Sequence, residues 1–197
     1  MRLGVLIPLA IFMLLCGVFL LRLLNPEPLN TVPSALIGKP VPALNLSPVE
    51  TIDTPFLNSD VIGASDVLVV NVWASWCAPC RIEHLQIQTL SKQDGVTVAG
   101  INYKDEPDNA ARFLRELGNP YHFIGADTFG QVSLEFGVYG VPETFLIDKA
   151  GIIRAKYIGE ITPDILHESV LPMIETIRSS EQITALPIMK WVILICF

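Results

Sequence analysis

Two cysteines separated by two residues, Cys77-Ala78-Pro79-Cys80, carry the clearest chemical signal in the chain. They follow Val69-Val-Asn-Val-Trp-Ala-Ser-Trp76, a run dominated by apolar and β-branched residues. A CxxC pair at a strand-to-helix junction can open and close a disulfide reversibly. The attacking species is the thiolate, and an ordinary thiol is mostly protonated at neutral pH. A cysteine at a helix N-terminus faces unpaired amides and the positive end of the helix dipole, which favour its thiolate. Cys77 is therefore the expected nucleophile. Cys80, one turn further in, is the expected resolving thiol. A two-residue loop constrains the unfolded chain little, so a purely structural bridge gains little from this spacing. Trp76 and Trp73 are expected to form an apolar collar that limits water.

Two carboxylates fall near the pair. Glu83 lies three residues after Cys80 on the same helix, and Glu143 follows Pro142. If both approach the sulfurs, they disfavour the thiolate and oppose the helix dipole. A dithiol with a destabilised thiolate gives up electrons more readily, so such a site leans toward reductant. The bland alternative for Glu83 is a solvated helix charge. His84 reads as a surface helix residue, and His122 and His167 carry no pattern. Arg81 stands where a c-type haem-attachment motif needs histidine, so the chain is not itself read as a cytochrome. With no second CxxC and no nearby His pair, no metal ligand set is assigned. No cofactor is expected beyond the Cys77–Cys80 disulfide.

The elements that must position these residues follow from periodicity. Val67–Ala74 reads as a strand buried on both faces. Pro79–Ser91 reads as a helix with Ile82, Leu85 and Leu90 on one face, and Pro79 is tolerated in the first turn. Val96–Tyr103 is a second strand. Asp108 is expected to cap a helix over Asp108–Leu117 that Gly118 ends. A short strand at Phe123–Ala126 and a short helix at Thr128–Phe136 follow. Glu143–Asp148 and Ile152–Ile158 flank Lys149-Ala150-Gly151 as a hairpin. Thr162 caps a closing helix to Ile177, with Pro163 at its first position. The order β-α-β-α-β-α-β-β-α implies a central mixed sheet with helices on both faces. Short edge strands are expected within residues 43–66.

The 197 residues exceed one small domain, and the surplus lies at the ends. Hydrophobic residues make up 51%, and mean hydropathy is +0.48. Leu3 to Leu21 is a run of 19 uncharged, mostly apolar residues, about 28 Å long as a helix. With no small-x-small cleavage signal in the flank, residues 1–24 read as an uncleaved signal anchor. Arg2 and Arg22 give a slight bias toward a cytoplasmic N-terminus. Cys16 reads as a membrane-buried thiol. Residues 25–42 hold five prolines and read as an extended linker. The folded domain is placed at 43–180, and residues 181–197 form an apolar tail of no assigned role. That tail is too short to span a bilayer. Net charge is −7, which argues against a nucleic-acid partner.

Trp76-Cys77-Ala78-Pro79-Cys80 after a Val-rich strand resembles the thioredoxin superfamily. Gly140-Val141-Pro142-Glu143-Thr144-Phe145 resembles its second element. The resemblance implies a thioredoxin-like α/β fold with Pro142 cis and facing the disulfide. It also implies that Val141, with Tyr139 and Gly140, offers backbone to an extended substrate. The longer phrase Gly137-Val138-Tyr139-Gly140-Val141-Pro142-Glu143-Thr144-Phe145 is narrower. With Ile101-Asn102-Tyr103-Lys104-Asp105, the Gly159–Thr162 segment and the N-terminal anchor, it resembles the membrane-anchored reductase family of cytochrome c maturation (CcmG, DsbE or CycY). That family implies a single-pass protein of the bacterial inner membrane with its catalytic domain in the periplasm. Its acidic active site would use Glu83 and Glu143. Its task would be to keep the haem-binding cysteines of apocytochrome c, or a partner thiol protein, reduced. Electrons would come from a membrane reductase of the DsbD or CcdA kind. Two further readings remain at this stage. One is a general envelope thiol–disulfide oxidoreductase with other substrates. The other is a non-catalytic module holding an unfolded peptide in the Pro142 groove.

Overall fold

The computed structural model describes residues 3–24, 35–55 and 57–185, with side chains over residues 7–22, 35–55 and 57–180. The chain divides into two units, Met1–Val32 and Pro33–Phe197. The first contains helix α1, Leu3–Leu24, which carries Pro8 within it. Among the described residues, no helix is long and apolar enough to cross a membrane. Most of the expected linker, residues 25–34, and the tail residues 186–197 lie outside the described residues.

The second unit is built on a five-stranded mixed sheet in the order β3-β2-β1-β4-β5. The strands are β1 (Val67–Trp73), β2 (Val96–Tyr103), β3 (Phe123–Asp127), β4 (Glu143–Asp148) and β5 (Ile153–Ile158). β1, β2 and β3 run parallel, while β4 is antiparallel to both β1 and β5. Every residue of β1 is buried, which explains why all but Asn71 are apolar. The remaining helices are α2 (Ala78–Leu90), α3 (Pro107–Leu117), α4 (Gln131–Glu135), α5 (Pro163–Ile165) and α6 (Leu171–Ala185).

Strand alternation divides the core in two. Val67, Val69 and Trp73 face one cluster, with Ile87 and Leu90 of α2, Phe113 and Leu114 of α3, and Ile174 and Ile177 of α6. Leu68, Val70 and Val72 face the other, with Leu44, Leu57, Phe136, Phe145 and Ile147. Helices do flank both faces, but unequally. The three long ones share a face, and the other is covered by α4 and the segment before β1.

That segment forms isolated bridges instead of edge strands: Pro40 with Ile152, Asn45 with Asn58, and Ser47 with Ala126. Backbone bonds also join Gly38 N to Ile153 O, Ile153 N to Lys39 O and Val41 N to Gly151 O. Residues 38–42 therefore belong to the folded unit, not to the linker. Their prolines had suggested a spacer, but a proline segment can also lie along a sheet edge, where its missing N–H faces away.

Two helices differ from expectation, one at its start and one along its course and at its end. The cap of α3 is Glu106, with Pro107 at the first position and Asp108 inside the first turn. The closing helix begins as expected, with Thr162 Oγ1 accepting from Ile165 N, and then passes through a π-turn at Leu166–Val170. It ends at Ala185 instead of Ile177.

Candidate active site

Cys77 caps α2, and its Sγ accepts a hydrogen bond from Cys80 N at 3.1 Å. The sulfur thus sits on a first-turn amide, where a thiolate would be stabilised. Cys77 and Cys80 are joined in a disulfide. Both are nearly covered, at 4% and 2% exposure. Trp76 beside them is 59% exposed, and its indole Nε1 donates to the Lys104 carbonyl.

The approach to Cys77 is held by Asp105. Its carboxylate accepts from Ser75 N at 2.6 Å, Ser75 Oγ at 2.7 Å and Asn102 Nδ2 at 3.0 Å. Trp73 belongs to the same buried cluster as Cys77 and Cys80. It is 1% exposed and packs against the rings of Phe113 and Tyr121, at 5.2 and 5.4 Å. As the last residue of β1 it points into the helix-covered core.

The buried side of α2 also departs from the apolar reading. Ile82 and Leu85 are exposed, whereas Cys80, Glu83, His84, Ile87 and Leu90 are buried. The spacing 80-83-84-87-90 is helical, but two of its members are polar, so hydrophobicity alone selected the wrong stripe. His84 is not a surface residue. Its Nε2 lies 2.8 Å from the Gly118 carbonyl, and its ring meets Phe113 edge-on.

Glu83 is 1% exposed, not a solvated helix charge. Its Oε1 accepts from Asn71 Nδ2 at 2.8 Å, and its Oε2 accepts from Ile161 N at 2.9 Å. Asn71 Nδ2 also donates to Thr144 Oγ1 at 3.0 Å, and Asn71 Oδ1 accepts from the Tyr121 hydroxyl at 2.8 Å. Burial pushes the Glu83 carboxyl up from 4.5 to about 7, against the pull of the Ile161 and Asn71 hydrogen bonds; nearby Glu160 adds to the rise. Spacing of three residues on one helix places Glu83 next to Cys80.

Glu143 lies elsewhere. In the β1–β4 register, Asn71 pairs with Thr144 and Val72 with Glu143. Thr144 shares the face of α2, so Glu143 faces the opposite side with Phe145. There it meets Lys156 Nζ at 2.8 Å, both side chains being buried. Its Oε1 accepts from Tyr139 N at 2.8 Å, and Lys156 Nζ also donates to the Gly137 carbonyl at 2.7 Å. The expectation that both acids converge on the sulfurs is corrected: Glu143 and Lys156 brace the loop before β4.

That loop ends in the Val141–Pro142 peptide bond, which is cis. The register puts Pro142 at the same end of the sheet as the start of α2. Val141 packs against the cluster that contains Cys77 and Cys80. Pro142 is buried, its carbonyl accepting from Gly159 N, while Tyr139 and Gly140 are exposed. A Cβ added at Gly140 would meet nothing within 4 Å, so the loop surface there is open. Among the described residues, no group of three metal-ligating side chains occurs.

Asn71, Tyr121, Thr144, Asp105 and Lys156 were not singled out from sequence. One signal was available. Asn71 interrupts an otherwise apolar buried strand, and a buried amide demands partners.

A CxxC at the head of a helix that leaves the central strand, with a cis proline at the same sheet end, defines a thioredoxin-like thiol–disulfide oxidoreductase. Residues 36–171 match the Redoxin family. The chain is 44% identical over 176 residues to the thiol:disulfide interchange protein DsbE of Escherichia coli, covering 86% of this chain and 92% of that protein. It is 44% identical over 145 residues to HelX of Rhodobacter capsulatus, covering 74% and 81%. It therefore belongs to the DsbE family of thiol:disulfide interchange proteins. Among solved structures, a chain from Chlorobium tepidum described as DsbE superposes with a TM-score of 0.52 at 27% identity, covering 70% and 97%. A secreted thiol-disulfide isomerase from Corynebacterium glutamicum gives 0.53 at 28% identity, covering 68% and 85%.

Proposed function

We propose that this chain is a membrane-anchored reductant of the bacterial envelope that keeps the haem-binding cysteines of apocytochrome c, or a partner thiol protein, reduced. The observation that carries the reductant reading is the buried carboxylate of Glu83 beside Cys80. In the reduced protein the Cys77 thiolate attacks a substrate disulfide and forms a mixed disulfide, releasing one substrate sulfur as a thiolate. Glu83 accepts the Cys80 proton, and the Cys80 thiolate attacks Cys77 Sγ. The second substrate sulfur leaves, the two substrate sulfurs take up protons, and Cys77–Cys80 is oxidised. Two electrons pass to the substrate. A general base that titrates near the working pH suits this transfer. A negative charge near the sulfurs also disfavours the thiolate and so favours electron donation.

An extended substrate would lie along Tyr139, Gly140 and Val141 and add a strand to that loop. The 19-residue apolar run from Leu3 to Leu21 supports an inner-membrane anchor with the catalytic unit in the periplasm. A membrane reductase of the DsbD or CcdA kind would return the Cys77–Cys80 disulfide to the dithiol, and no other cofactor is required.

The test is the reduction potential of the full chain in detergent, equilibrated against a dithiothreitol series. A value near or below roughly −270 mV, that of thioredoxin, supports the reading. A value near roughly −120 mV, that of a strong oxidant, overturns it. Preferential reduction of an oxidised Cys-x-x-Cys-His peptide over a scrambled one tests the substrate.

A further inference from the structure

The Asn71 amide touches Glu83 through one end and Tyr121 through the other. Tyr121 reaches this place from the segment between α3 and β3, outside the two sequence motifs that carry the chemistry. We propose that Tyr121 is a positioning residue that locks the Asn71 amide with its N–H toward Glu83 and so sets the pH at which Glu83 takes the Cys80 proton. The proposal rests on the assignment of Glu83 as that proton acceptor.

The argument is one of donors and acceptors. The Tyr121 hydroxyl donates to Asn71 Oδ1 at 2.8 Å, which leaves Nδ2 for Glu83 Oε1 and Thr144 Oγ1. Glu83 Oε2 takes its second donor from Ile161 N. A carboxylate with two N–H donors is well served as an anion. A protonated Glu83 would instead need an acceptor for its own O–H. Turning over the Asn71 amide would provide one, by presenting Oδ1 to Glu83. That turn would strip the buried Tyr121 hydroxyl of its acceptor, which is costly. The hydroxyl thus penalises the protonated acid.

The groups around Glu83 are few. Cys80 and Cys77 lie on and at the head of its own helix, Tyr121 comes from the segment before β3, and Glu160 approaches from the loop after β5. Thr144 of β4 and the Ile161 N–H are neutral. Tyr121 is itself held in its protonated form, chiefly by burial and then by the charge of Glu83. It therefore remains a donor across the working range. Its ring lies against Trp73, and Phe at this position keeps that packing.

The experiment is a pH titration of the full chain in detergent with two readouts. One is the infrared C=O band of the protonated carboxyl, identified as the band missing from Glu83→Gln. The other is the acid limb of single-turnover reduction of oxidised glutathione by the reduced protein. Tyr121→Phe is expected to raise both midpoints by about one pH unit, a tenfold loss of rate at fixed pH on the acid side. Asn71→Ala, which deletes the N–H donor itself, is expected to raise them further. If Glu83→Gln removes the band and the limb while Tyr121→Phe and Asn71→Ala superpose on the parent, the lock is refuted and Glu83 keeps its role. If Glu83→Gln removes neither, the role of Glu83 falls, and the lock with it.

Discussion

Glu83 and Glu143 lie on opposite faces of one sheet. The pairing of Asn71 with Thr144 and of Val72 with Glu143 places them there. Glu83 projects from the buried side of the helix that carries the cysteines, held by Asn71 and Ile161. Glu143 sits on the far face, neutralised by Lys156 at 2.8 Å. Two acids that look equivalent beside their motifs therefore have different physical work. One faces the redox pair, and the other holds the loop that carries the cis proline.

Stability should depend on pH through Glu83. Its carboxyl is raised from 4.5 to about 7, so the folded state binds the proton better than the unfolded chain does. The stabilisation is complete below about 4.5 and is lost as pH rises through about 7. Denaturant unfolding of the oxidised chain should show a loss of about 3 kcal/mol across that window. The slope should be absent in Glu83→Gln. A parent curve that is flat across the window would contradict the burial of a titrating acid here.

Glu143→Gln should act on the fold before it acts on the potential. It leaves the Lys156 ammonium buried without its counter-ion, which costs about 3–5 kcal/mol. Replacing both, as Glu143→Gln with Lys156→Met, should recover much of that loss. Thermal unfolding of the two single variants and the double variant decides it. Additive losses would mean that the two groups do not act as a pair.

Asp105→Ala should slow thiol–disulfide exchange without unfolding the chain. Asp105 ties Ser75 N and Oγ, so it fixes the backbone that leads into Cys77. Loss of these charge-assisted bonds costs about 1.5–3 kcal/mol each at most. The rate constant for alkylation of Cys77 in the reduced protein is the readout. An unchanged rate would show that the Ser75 turn holds itself.

Cys80→Ser should accumulate a mixed disulfide on Cys77, because the resolving thiol is gone. Cys77→Ser should form none. Mass spectrometry after exposure to an oxidised peptide distinguishes the two, and the reverse pattern would exchange the roles of the cysteines.

Gly100→Ala should destabilise the helix-covered core by about 1–3 kcal/mol through overpacking. A Cβ there would stand 2.8 Å from Trp73 Nε1 and 2.9 Å from Tyr121 Cδ1. Chemical denaturation measures the loss. Full stability would mean that the Trp73–Tyr121 stack can shift.

The amino-acid sequence by itself determined the five sheet strands, the starts of most helices and the reacting pair, but not the bridges before β1 or the course of the closing helix. Strand β1 is legible because a run buried on both faces has to be apolar, and the CxxC because its spacing fits one helical turn. Thr162 and Pro163 marked a helix start through local backbone chemistry that needs no distant partner. Tertiary structure alone decided which polar groups serve the site. Ile82 and Leu85 look like a core stripe, yet the stripe that packs inward contains Glu83 and His84. Those two are buried because Asn71, Ile161 and Gly118, all distant in sequence, meet their polar atoms. The separation of Glu83 from Glu143 depends on strand register, and a shift of one residue would exchange the faces. Periodicity reports where a side chain could point. Only the packed sheet supplies the partner that makes a buried charge tolerable.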